Sequence, residues 1–201
     1  MFNRIKLITR MNTYLVLWPN DWCNLLEKAG DVGPLKVVYG GPHISVPSLG
    51  KVKNGDMIYP VRVKAGCLYV LGRMKVEKII DADSYLAQQA IIRPKGMLWD
   101  TASKIVLKQH SGYGHQIPRN CVDDAAIGIE GTSLRFDFPF PSVLLSDLCL
   151  GPRPGDEKPL NLKDGKVSHV NLQGHFRRLS ESSVKLFDEI MKGFEKSRDK
   201  T

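Results

Sequence analysis

Asp56-Met-Ile-Tyr-Pro-Val-Arg-Val-Lys-Ala-Gly-Cys-Leu-Tyr-Val-Leu-Gly-Arg-Met-Lys-Val76 is the stretch whose reading decides the fold. Two runs rich in branched and aromatic residues, 57–64 and 67–76, flank Ala65-Gly66. Such a pair joined by a tight Gly-containing turn reads as a β-hairpin. By the two-residue period of a strand, Leu68, Val70, Met74 and Val76 fall on one face, and Tyr69, Leu71, Arg73 and Lys75 on the other. Val61 and Val63 alternate with Arg62 and Lys64 in the same way. One face of the ribbon is expected to enter the core. The other is expected to be cationic, with an aromatic ring on it.

Working outward, residues 13–18 read as a buried strand ended by Pro19-Asn20-Asp21, where Asn20 or Asp21 caps a helix over 22–29 before Gly30 and Gly33 break it. A second strand is predicted at 35–39, and Asn54-Gly55-Asp56 marks a tight turn. Downstream, Asp81 or Asp83 caps a helix that Pro94 stops, 97–108 is ambiguous between helix and strand, and 110–120 is a polar loop. Strands are expected at 126–129 and 133–138, after which Phe138-Pro-Phe-Pro141 removes ladder donors and opens a short helix at 143–148. Residues 151–159, with three prolines and two glycines, read as a linker loop. Strands at 160–162 and 167–172 follow. A last helix is capped at Ser180, with Val184, Phe187, Met191 and Phe194 as its apolar stripe. The class is α+β. One domain spans 1–201: 1–11 as an extension, the start being Met1 or Met11, a core over 12–150, a linker loop at 151–159, and strands and a helix at 160–201 completing it.

The chain has 201 residues, 42% hydrophobic and 25% charged, and no apolar run of the length a membrane-spanning helix needs. Its four cysteines, Cys23, Cys67, Cys121 and Cys149, have no paired spacing, which suits a reducing compartment, and the cytoplasm is the expected location. The formal charge of +8 is unevenly spread. Between Lys36 and Lys78, 8 basic residues face 2 acidic ones. A localised cationic surface points to an anionic partner, DNA or RNA before a membrane, or is simply a solvated surface.

Chemistry-bearing motifs are sparse. His110, His115 and Cys121 are near in sequence but lack CxxC, HxH or HExxH spacing, so no metal site or cofactor is assigned. There is no GxSxG, Walker or GxGxxG loop, and no catalytic residue is assigned. Gly40-Gly41-Pro42-His43 reads as a turn beside a histidine, and Asp123-Asp124 as a solvating or capping pair. Trp18 and Trp22 bracket the Pro-Asn-Asp turn, either as a stacking platform for a base or as core residues where a strand end meets the next helix.

The Trp18-Pro-Asn-Asp-Trp22 step after a Tyr-Leu-Val-Leu strand, Lys53-Asn-Gly-Asp-Met-Ile-Tyr59 and Leu68-Tyr-Val-Leu-Gly-Arg-Met-Lys-Val76 resemble the PUA-like superfamily, in particular its EVE, YTH and ASCH branches, over residues 12–80. His175-Phe-Arg-Arg-Leu-Ser-Glu181 is a weaker echo near the C-terminus. The resemblance implies a small open β-barrel with flanking helices and a pocket for a nucleobase, in some members a modified one. Trp18, Asn20 and Trp22 would lie near its rim, and Arg62, Lys64, Arg73 and Lys75 would touch phosphates, with Tyr69 among them. The expected function is a nucleic-acid-binding module. The alternatives are an enzyme on a nucleotide or nucleic acid using the His110/His115 loop, and a regulatory interaction component with no ligand of its own.

Overall fold

After Thr13, the apolar run Tyr14-Leu-Val-Leu17 is unbroken, the pattern of a strand covered on both faces. In the computed structural model, which describes residues 11–40, 49–88, 124–172 and 176–196, that run is an interior strand of a large mixed sheet. The elements in chain order are β1 (Thr13–Leu17), α1 (Asn20–Ala29), β2 (Val37–Gly40), β3 (Met57–Lys64), β4 (Cys67–Val70), β5 (Met74–Asp81), α2 (Ala82–Gln88) and β6 (Asp124–Ile129). A 3₁₀ turn (Ser142–Asp147) leads to β7 (Cys149–Gly151), β8 (Lys158–Pro159), β9 (Leu162–Lys163), β10 (Lys166–Val167), β11 (Arg177–Leu179) and α3 (Glu181–Lys196).

Nine strands form one sheet in the order β2-β6-β5-β3-β1-β11-β7-β8, with β4 also paired to β3, while β9 and β10 form a separate hairpin. Among the described strands only β1 and β3 run parallel; the other pairings are antiparallel. The class is α+β as expected. The described strands form an open sheet with β2 and β8 at its ends and do not close into a barrel.

The hairpin carries the main correction to the sequence reading. Val61 pairs with Val70 and Lys64 with Cys67, but Ile58 pairs with Met74 and Met57 with Lys75. The second strand therefore holds one more residue than its partner across 71–73. This is a β-bulge, and one extra residue reverses the parity of every side chain beyond it. Leu68 and Val70 join the cluster beneath α3, with Leu15, Tyr59 and Phe187. Leu71, Met74 and Val76 join the opposite cluster, with Val16, Trp22, Leu26 and Ile58, and Tyr69 packs against it. The expected grouping of Tyr69 with Arg73 and Lys75 on one outer face does not form. Residues 132–140 line the outer edge of the bulged strand: Val70 N donates to Phe138 O (3.0 Å), Arg135 N to Leu71 O (2.9 Å) and Thr132 N to Arg73 O (2.9 Å).

Both faces of the sheet are thus core. α1 covers one, anchored by buried Trp22, Cys23 and Leu26 and stopped by Gly30 in the left-handed region (φ 69°). α3 covers the other with the predicted stripe, in which Phe187, Met191 and Phe194 are buried and Ser180 Oγ accepts from Ser183 N (3.2 Å). Asp81 caps α2 as predicted, accepting from Ser84 N (2.7 Å). The expected linker loop at 151–159 is the turn between β7 and β8, whose ends at Gly151 and Lys158–Pro159 join the sheet, and an ion pair between Arg178 and Glu157 fastens it. Arg178 Nε also donates to Asn12 Oδ1 (3.1 Å), and Asn12 N donates to Asp56 Oδ1 (2.9 Å), whose Oδ2 accepts from Lys53 N (2.8 Å). Buried Asp56 thereby ties the Asn54-Gly55 turn to the start of β1.

Candidate nucleic-acid interface

Trp18 and Trp22 are 7% and 6% exposed and share one apolar cluster with Cys23 and Phe136. Of their two readings, the core one describes the rings. Asn20 is exposed, and its Nδ2 donates to Val63 O (2.8 Å), fastening the first turn of α1 to β3. Burial pushes the Cys23 thiol up to about 12, against the pull of the Arg62 charge, so Cys23 is a neutral core thiol and not a nucleophile.

Arg62 is the unexpected residue. The sequence reading places it on a solvated cationic face; it is 4% exposed. Its partner across the hairpin is Tyr69, and the bulge puts Phe136 on the same side. The guanidinium carbon lies 5.3 Å from the Tyr69 ring centroid and 5.8 Å from that of Phe136. Nη2 donates to the Phe136 carbonyl, while Nε and Nη1 are buried with no acceptor among the described residues. A buried guanidinium without a carboxylate is expensive, on the order of several kcal/mol, and cation–π contacts of about 2 kcal/mol or less offset only part of it. Tyr69 is half-buried and forms the wall nearest solvent.

The remaining predicted cations separate. Arg73 and Lys75 lie beyond the bulge, on the α3 side. Arg73 pairs with Glu195 (2.7 Å) and stands beside Tyr59, whose hydroxyl donates to Asp188 Oδ1 (3.2 Å). Burial, and then the Asp188 charge, push the Tyr59 phenol up. Lys75 lies 3.7 Å from Glu130. Lys64 is exposed at the hairpin end and has no acidic partner among the described residues. The structure therefore brings Trp18, Asn20, Trp22, Arg62 and Tyr69 into one neighbourhood and sends Arg73 and Lys75 elsewhere.

Phe136 carried no sequence signal as a site residue; it is a core ring, 4% exposed, in the cluster of Trp18 and Trp22. A cleft of about 790 Å³, walled by Pro152, Glu157, Asn161, Asn171 and Arg177, had no sequence signal either. His110, His115, Cys121, His43 and Asp123 lie outside the described residues. Among the described residues no cluster of His, Cys, Asp or Glu is arranged to hold a metal ion, and no helix is long and apolar enough to cross a membrane. Comparison with family models, curated proteins and solved structures finds no match.

Proposed function

We propose that the protein is a nucleic-acid-binding module, PUA-like over residues 12–80, that holds a base at the Arg62–Tyr69–Phe136 stack. The observation that carries this reading is the buried Arg62 guanidinium, whose Nε and Nη1 have no acceptor among the described residues. Donors held out of water gain most from a ligand that supplies acceptors, because their desolvation has already been met by the fold. A planar base with carbonyl or ring-nitrogen acceptors suits a guanidinium flanked by aromatic rings. Stacking on such rings contributes roughly 1–3 kcal/mol per base. The sequence resemblance over 12–80 supports the same assignment.

Fluorescence anisotropy with labelled single-stranded DNA, single-stranded RNA and duplex DNA tests it. Binding should appear for at least one of these and fall steeply with added salt. Arg62→Met should weaken it at least tenfold with an unchanged circular dichroism spectrum. Absence of binding to all three at low salt, or full-strength binding by Arg62→Met, would sink the reading.

A further inference from the structure

Two hairpin tips distant in sequence meet at one end of the molecule. Val167 N of β10 donates to Gly66 O of the β3–β4 turn (2.9 Å), and the stem of Lys166 lies across Gly66. A Cβ on Gly66 would sit 2.9 Å from Lys166 Cβ and Cγ, and Gly66 has φ 80°, so glycine is needed there both for the backbone and for the lysine stem. In the β9–β10 hairpin Lys166 pairs directly with Lys163. Their neighbours Val167 and Leu162 turn into the α3-side core, so the two lysines point outward together. Lys64 stands two residues before Gly66, at the same end. Lys64, Lys163 and Lys166 are all exposed, and none forms an ion pair among the described residues, although Asp164 sits in the turn between two of them.

Like charges directly opposite on an antiparallel pair destabilise it. The hairpin's strands are two residues each, and neither lysine has an ion pair among the described residues to offset that repulsion. An external anion relieves it. Lys64 also follows Arg62 by two residues on β3 and so shares its side of the strand, about 7 Å further along. We propose that Lys64, Lys163 and Lys166 form a phosphate-binding site for the phosphodiester backbone of the nucleic acid whose base Arg62 receives. The site rests on the function proposed above, and it supplies the non-specific part of the affinity while Arg62 supplies the base contact.

The test compares the triple variant Lys64→Gln/Lys163→Gln/Lys166→Gln with Arg62→Met, using a labelled single-stranded oligonucleotide across a salt series. Each phosphate contact on a single strand contributes about 0.7 to the slope of log K against log salt, so losing all of them flattens the slope by about 2. The triple variant should show that flattening for every sequence tested, while Arg62→Met leaves the slope unchanged and lowers affinity. A slope unaltered in the triple variant overturns the lysine site and leaves the Arg62 reading standing. A flattened slope with an inert Arg62→Met does the reverse. Lysine-dependent binding to phosphatidylserine vesicles without oligonucleotide binding assigns the patch to a membrane surface and overturns the proposal.

Discussion

Replacing Arg62 by methionine should leave the unliganded protein about as stable as the parent or slightly more so, although the residue is buried in the core. The opposing contributions follow from its surroundings. The guanidinium is 4% exposed and has no carboxylate partner among the described residues, and this desolvation costs on the order of several kcal/mol. Its compensation is one charge-assisted bond to the Phe136 carbonyl, worth about 1.5–3 kcal/mol, and stacking against two rings at up to about 2 kcal/mol. Methionine keeps most of the volume and regains about 0.3–1.5 kcal/mol from sulfur–aromatic contact. These contributions nearly cancel, and no acid is stranded by the change, so the difference should fall within about 2 kcal/mol of zero, on the stabilising side. Arg62→Lys should be worse than Arg62→Met, because an ammonium is as costly to bury and cannot stack as a plane. Urea unfolding followed by tryptophan fluorescence gives the free energies, with equal slopes confirming comparable transitions. Destabilisation of Arg62→Met beyond about 3 kcal/mol would show that the guanidinium is a structural keystone. The case for a missing acceptor would then collapse.

Phe187→Ala should cost about 3–5 kcal/mol in the same assay, since the ring is fully buried with Tyr59 at 5.0 Å and Phe140 at 5.2 Å, and a loss under 1 kcal/mol would contradict the packing described for α3. Gly131→Ala should be severely destabilising because an added methyl overlaps the Leu35 carbonyl, whereas Gly30→Ala meets open space and should cost only about 1 kcal/mol for its left-handed cap; thermal melts that rank the two the other way would refute the geometry around residue 131. Alkaline stability should also fall. The Cys23 thiol is held near 12 in the fold but ionises near 8.5 when unfolded, so its contribution is intact below about pH 8.5 and is lost as pH rises toward 12. Cys23→Ala should flatten that slope in denaturant titrations at pH 8 and pH 10. Thiol labelling at pH 8 should modify exposed Cys67 and spare Cys23.

Much of the architecture was legible because it is written in local chemistry. The α3 stripe has helical spacing, Gly30 ends α1 where a left-handed residue is needed, and Asp81 and Ser180 cap the helices that follow them. The open order of the described sheet, and the entry of the ends of 151–159 into it, were not legible. Three prolines and two glycines spell a loop, but the pairing of Cys149 with Pro159 and the contact of Glu157 with Arg178 are tertiary and leave no mark in the local pattern. Strand β11 is only three residues long and carries adjacent arginines, so its pattern is too short for a period-two signal.

The site was half legible, and one residue accounts for the other half. Strict alternation through Gly72 would keep Tyr69, Arg73 and Lys75 together as a single cationic surface. The extra residue at 71–73 divides them, and each division has a physical correlate. Beyond the bulge, Arg73 and Lys75 meet Glu195 and Glu130, so their charge is neutralised within the fold. Before it, Arg62 and Lys64 keep the α1 side, where β3 offers no acid, and Tyr69 and Phe136 close over the guanidinium. Periodicity cannot reveal a bulge, because Gly72 looks the same whether it continues the strand or interrupts it. Its local consequence can be seen only in three dimensions: an added Cβ would press on Thr132 Oγ1 at 2.9 Å, the same oxygen that accepts from Arg73 N. The bulge therefore sorts the hairpin's positive charge into a set paired with acids and a set with no acidic partner among the described residues. It is the second set, Arg62 in its aromatic stack with Lys64 at the strand's end, that has electrostatic capacity left for a partner.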